Sequence, residues 1–163
     1  MKILSMKTTI FLGAMLSLLV CLMFTGCSNS ETNSTSRGLT DFAHIEEEYL
    51  ATIDSLNWPE GITLPDKLED EDTGASFQVG YGETRASYLW EYSWMKEWLD
   101  TYNTDPERAE KALEELEKAF DMPYMGIDRC DDATRNYLRE NIDKAKLGDP
   151  SGFTESIRAN YAN

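Results

Sequence analysis

The chain has 163 residues, with 30 acidic against 15 basic side chains and a formal net charge of −15. That balance excludes nucleic acid and direct adhesion to an anionic lipid surface, because both require a cationic face. It suits solubility, or a cationic protein partner.

The first 27 residues read as an address and stand outside fold reasoning. Lys2 and Lys7 form a positive start, and Thr8 to Thr25 is an uncharged, mostly apolar run. The run is shorter than the ~20 apolar residues a spanning helix needs. It ends in Phe24-Thr25-Gly26-Cys27, followed by polar Ser28-Asn29-Ser30. This pattern resembles a bacterial lipoprotein signal peptide, with Phe24 where leucine is usual. The resemblance implies cleavage after residue 26, lipidation of Cys27, and anchoring on the extracytoplasmic side of the cell membrane. Several acyl chains give firm anchoring where one gives only marginal binding. Removal of residues 1–26 takes away Lys2 and Lys7 and no carboxylate, so the mature chain is more acidic still. Cys21 leaves with the signal and Cys27 is taken by lipid, which leaves Cys130 without an internal disulfide partner. Stability must then come from packing.

Residues 27–39 are read as a lipidated flexible tether, since Ser28 to Arg37 contains no apolar side chain. A single helical domain is expected over 40–163. Thr40 is placed to cap a helix over 41–56, in which Phe42, Ile45, Tyr49, Ile53 and Leu56 recur three and four apart. Residues 57–83 lack helical pattern. Pro59, Gly61, Pro65, Gly74, Gly80 and Gly82 interrupt them, and Lys67 to Asp72 is an acidic run. Phe77, Val79 and Tyr81 alternate like a short strand, with no second strand of similar quality to pair with it. The apolar side chains of this arm predict that it packs across the helices.

The helix expected over about 83–102 organises the rest. Trp90, Trp94 and Trp98 recur every fourth residue, and with Tyr88, Tyr92, Met95, Leu99 and Tyr102 they fill an arc of roughly 200°. So wide an apolar face needs several neighbours. The stretch Trp58-Pro59-Glu60-Gly61, then Gly80-Tyr81-Gly82-Glu83, then the tryptophan-rich helix resembles small secreted bacterial proteins without an assigned activity, and it implies no function. Asp105-Pro106 opens a third helix, ended by Pro123 and Gly126; a fourth is expected over about 131–147, closed by Gly148; Asp149-Pro150 opens a short fifth. The fold expected is all-α, a small bundle of four to five helices with the long irregular arm laid over it.

Candidate chemistry is sparse. His44, the single histidine, offers with Glu48 and Asp41 too few nitrogen or sulfur ligands for zinc, so no metal and no cofactor are expected. Asp66 to Asp72 departs from calcium-loop spacing. Gly80-Tyr81-Gly82-Glu83 could cradle an anion at a helix start, though it lacks a full phosphate-binding fingerprint. Cys130 lies at a helix start among Asp128, Asp131 and Asp132, which oppose thiolate formation. Glu91 falls within the aromatic arc, where a carboxylate needs a partner; Arg85, Arg135 and Arg139 are the candidates.

No catalytic constellation emerges, and a non-enzymatic interaction module with an acidic surface for a protein partner is expected. The alternative is a module binding a small ligand or glycan through Trp58, Trp90, Glu91, Trp94 and Trp98. Helix-spaced aromatics more often form core than a binding face.

Overall fold

The computed structural model describes residues 38–69 and 71–161. The expected signal peptide, Cys27 and nearly all of the tether lie outside the described residues. Of the tether's last two residues, Leu39 already forms strand with Thr40 (β1, Leu39–Thr40), where the sequence suggested only linker. Asp41 rather than Thr40 caps the first helix (α1, Phe42–Ser55), its carboxylate accepting from the His44 N–H at 3.0 Å. Thr40 is unavailable because its backbone pairs with Phe77. The strand expected near Phe77 thus does find a partner, β2 (Phe77–Gln78), antiparallel to β1 with Leu39 opposite Gln78. Two residues per strand leave little local pattern from which that pairing could be foreseen.

The tryptophan-rich helix (α2, Tyr81–Thr101) is the longest element, and its neighbours surround it. One side packs on α1, where Ala86 joins Ile45, Tyr49, Ile53 and Leu68. The other carries Trp90, Trp94, Met95 and Trp98 into a larger core shared with the remaining helices. These are α3 (Pro106–Glu117), α4 (Asp132–Lys146) and α5 (Ser151–Asn160). Asp105 caps α3 and Asp131 caps α4, each through its side chain. Asp149 accepts from the Ser151 N–H at 2.9 Å at the start of α5. Gly148, with φ of 80°, closes α4 in the left-handed region that favours glycine. Between α3 and α4 the chain tightens into two 3₁₀ turns, Lys118–Asp121 and Pro123–Met125. The second follows from Pro123, which has no N–H to extend a helix.

Two devices seat the arm between α1 and α2. The carbonyl of Asn57 accepts from the indole N–H of both Trp90 (2.8 Å) and Trp94 (3.1 Å), which satisfies two donors that burial would otherwise strand. Farther along, Leu68 is buried against α1 and its N–H reaches the Glu46 carboxylate at 3.3 Å. At Gly82 the two helices meet so closely that an added Cβ would overlap the Ile45 carbonyl oxygen. The fold is a small, mostly all-α bundle of five helices among the described residues. No described helix is long and apolar enough to cross a membrane.

Candidate functional site

Glu91 is a buried carboxyl that no lysine or arginine among the described residues pairs with. On α2 it lies one turn after Tyr88, and the second 3₁₀ turn brings Tyr124 against both. The Tyr124 hydroxyl donates to Glu91 Oε2 at 2.8 Å, and its ring meets that of Tyr88 edge-on, with centroids 5.7 Å apart. The Glu91 side chain is 7% exposed. Loss of hydration pushes its carboxyl up to about 7, with the Tyr124 hydrogen bond pulling the other way. The same burial, and the neighbouring Glu91 charge, push the phenol of Tyr124 far upward. Tyr161 and Tyr88 move in the same direction for the same two reasons.

Glu91 forms part of the wall of a cavity of about 300 Å³ between α2, α4 and α5. Tyr88, Tyr137 and Tyr161 supply aromatic walls, Met125 and Leu138 supply apolar ones, and Ser156, Thr134 and Asn160 add polar atoms. The helix periods explain the convergence. Thr134, Tyr137 and Leu138 share a side of α4, while Ser156 and Asn160 sit one turn apart on α5, with Tyr161 next. Tyr161 is further held by the ring of Tyr92, at a centroid distance of 5.0 Å.

The arginine partners expected for Glu91 are all engaged elsewhere. Arg85 pairs with Glu71, Arg135 pairs with Asp132 and donates to the carbonyls of Met125 and Cys130, and Arg139 lies over the Phe120 ring at 4.5 Å. The tyrosine hydroxyl takes their place.

The tryptophans are core. Trp90 and Trp94 are each 1% exposed and Trp98 is 2% exposed, and the half-buried Trp58 donates its indole N–H to the Ile53 carbonyl at 2.9 Å. Trp90 and Trp94 thus offer no open ring face for a sugar. Of the residues that the sequence offered for ligand binding, Glu91 reaches the tyrosine cavity, and Trp98 reaches the floor of a second depression between α2 and α3. Sequence reasoning missed Tyr124, Tyr137 and Tyr161. Only the three-residue spacing of Tyr88 and Glu91 hinted at a shared wall.

The glycine-rich start of α2 does cradle an anion, and that anion belongs to the chain. Glu48 on α1 accepts from the Gly80 N–H at 2.8 Å and the Gly82 N–H at 3.2 Å, so it caps α2 from a neighbouring helix. His44 lies 3.4 Å from the same carboxylate. Burial pushes the Cys130 thiol up, with Arg135 opposing. In the acidic run, Glu71 is taken by Arg85 and by the Tyr81 hydroxyl at 2.8 Å, and Asp72 accepts from the Gly74 N–H. Among the described residues, no group of three or more His, Cys, Asp or Glu side chains is arranged to hold a metal ion.

The second depression is an open groove of about 490 Å³ between α2 and α3, with the turn after α4 at its end. Trp98, Tyr102, Ala109 and Leu113 floor it, and Glu110, Glu114 and Glu117 edge it. These three glutamates follow at four and three residues, so they stand on one side of α3. Lys146 on the far wall pairs with Glu117; no ion pair among the described residues engages Glu110 or Glu114.

Comparison with known proteins finds no matching family model, no matching curated protein and no matching solved structure.

Proposed function

We propose that the chain is a non-enzymatic binding module, held by lipid at Cys27 on the extracytoplasmic side of the membrane, that docks a cationic segment of a partner protein. The observation that carries this reading is the groove between α2 and α3. Its apolar floor of Tyr102 and Leu113 would accept an aliphatic or aromatic side chain, while Glu110 and Glu114 stand beside it, engaged by no ion pair among the described residues. The mature chain, more acidic still than the full sequence with its formal charge of −15, adds long-range attraction for a basic partner. The anchor rests on the lipobox-like Phe24-Thr25-Gly26-Cys27, and the polar stretch after it suits a tether.

Fluorescence anisotropy tests the reading, with the full chain in non-ionic detergent and a labelled peptide of alternating lysine and leucine. Binding should weaken steeply with added salt, as exposed charge pairs are screened. It should also fall about tenfold or more in the double variant Glu110→Lys, Glu114→Lys. Equal affinity in the variant, or affinity indifferent to salt, would remove the groove as the docking site. The Glu91 cavity favours a second reading, as a small-ligand site.

A further inference from the structure

We infer that the tyrosine-lined cavity around Glu91 is a binding site for a small organic ammonium ion, whose positive charge would sit against the Glu91 carboxylate and the rings of Tyr88, Tyr137 and Tyr161. This inference is independent of the α2–α3 groove.

Three observations carry it. First, Glu91 is 7% exposed and has no lysine or arginine within ion-pair distance among the described residues. A buried carboxylate demands compensation, from a proton or from a cation. Second, one of its oxygens accepts from Tyr124, and no other donor among the described residues reaches the carboxyl, which borders the cavity. Third, the walls suit a cation. Tyrosine faces attract ammonium groups through their ring quadrupoles, more strongly where water is excluded. The lining contains no positively charged side chain, so nothing in it repels such a guest. A volume of about 300 Å³ admits a small molecule and excludes a folded chain. A bare metal ion is a poor alternative, because calcium wants six to eight oxygens and a single carboxylate serves the site.

The titratable groups around Glu91 are Tyr88 on α2, Tyr124 in the second 3₁₀ turn, Cys130 before α4, Tyr137 on α4 and Tyr161 after α5. None contributes a positive charge. The nearby Arg135 guanidinium is held by Asp132 and by backbone carbonyls. Glu91 is therefore the group that sets how binding responds to pH. Its carboxyl, pushed up to about 7, must release a proton to pair with a permanent cation, so affinity should rise between about pH 6 and about pH 8.

The test is calorimetric titration of the full chain in non-ionic detergent with choline, and with its uncharged isostere 3,3-dimethyl-1-butanol. Choline should bind with Kd below about 10 mM, a range open to so small a ligand, and at least about tenfold more tightly than the neutral compound. Glu91→Gln keeps the shape and the Tyr124 hydrogen bond, and it should abolish both the preference for charge and the rise with pH. Tyr137→Ala, at a lining side chain that is 40% exposed, should weaken choline several-fold. Equal binding of the two compounds, choline affinity unchanged in Glu91→Gln, or no choline heat at about 10 mM would each overturn the inference.

Discussion

Replacing Glu91 by glutamine should make the protein more stable above neutral pH, which is unusual for the loss of a buried, hydrogen-bonded side chain. The carboxyl is raised from 4.5 to about 7 by burial. A tenfold change in an ionisation constant corresponds to about 1.36 kcal/mol, so ionising Glu91 in the folded state costs about 3 kcal/mol relative to the unfolded chain. Proton counting gives the sign. Between about pH 4.5 and about pH 7 the folded state holds a proton that the unfolded state has released. Stability from this group is therefore full below the unfolded value and falls as pH rises to the folded value; above that it is constant. Glutamine carries no such proton, while its carbonyl still accepts from Tyr124. Urea denaturation of both chains, followed by circular dichroism at several values from about pH 5 to about pH 8, gives the difference directly. Other titrating groups are common to both and cancel. The curves should lie within about 1 kcal/mol of each other at the acid end, and Glu91→Gln should gain by about 2–3 kcal/mol at the alkaline end. Parallel curves would refute the reasoning, since they would mean that Glu91 is hydrated or already paired with a cation in the folded state.

Two further outcomes test other parts of the structure. Gly82→Ala should destabilise the protein by about 2 kcal/mol or more despite the better helix propensity of alanine, because the new methyl would overlap the Ile45 carbonyl and come within 2.9 Å of the Tyr49 nitrogen; an unchanged urea midpoint would show that α1 and α2 separate freely. Mass spectrometry of the membrane-extracted protein should find a mature N-terminus at Cys27 carrying acyl mass, absent in Cys27→Ser, whereas an unmodified peptide spanning residues 24–30 in the wild type would remove the lipid anchor from the proposal.

The local grammar of this chain is strong where an element is defined by neighbours in sequence. Asp105-Pro106 opens α3 and Gly148 closes α4 because a cap needs only a side-chain oxygen or a tolerant φ a few residues away. The four-residue spacing of Trp90, Trp94 and Trp98 likewise determined that one face of α2 would be buried, since no tertiary detail alters which residues share a helix side. Boundaries shifted where a distant partner intervened. Thr40 lost its cap to Asp41 because β2, far along the chain, takes its backbone. Gly80 and Gly82 looked like an open anion cradle until Glu48 of α1 came to fill it.

Composition and periodicity by themselves determined the helical class, the acidic character, the irregular arm and the conflict posed by a carboxylate on an aromatic helix. The tertiary structure alone decided how that conflict resolves. Three arginines were candidate partners for Glu91 in sequence, yet each is held by another acceptor or ring. The group that reaches Glu91 is Tyr124, from a 3₁₀ turn that Pro123 creates, and the cavity beside it closes only when α4 and α5 deliver Tyr137 and Tyr161. Such residues are separated by dozens of positions and share no period, so their meeting is a property of how helices pack rather than of any stretch of chain.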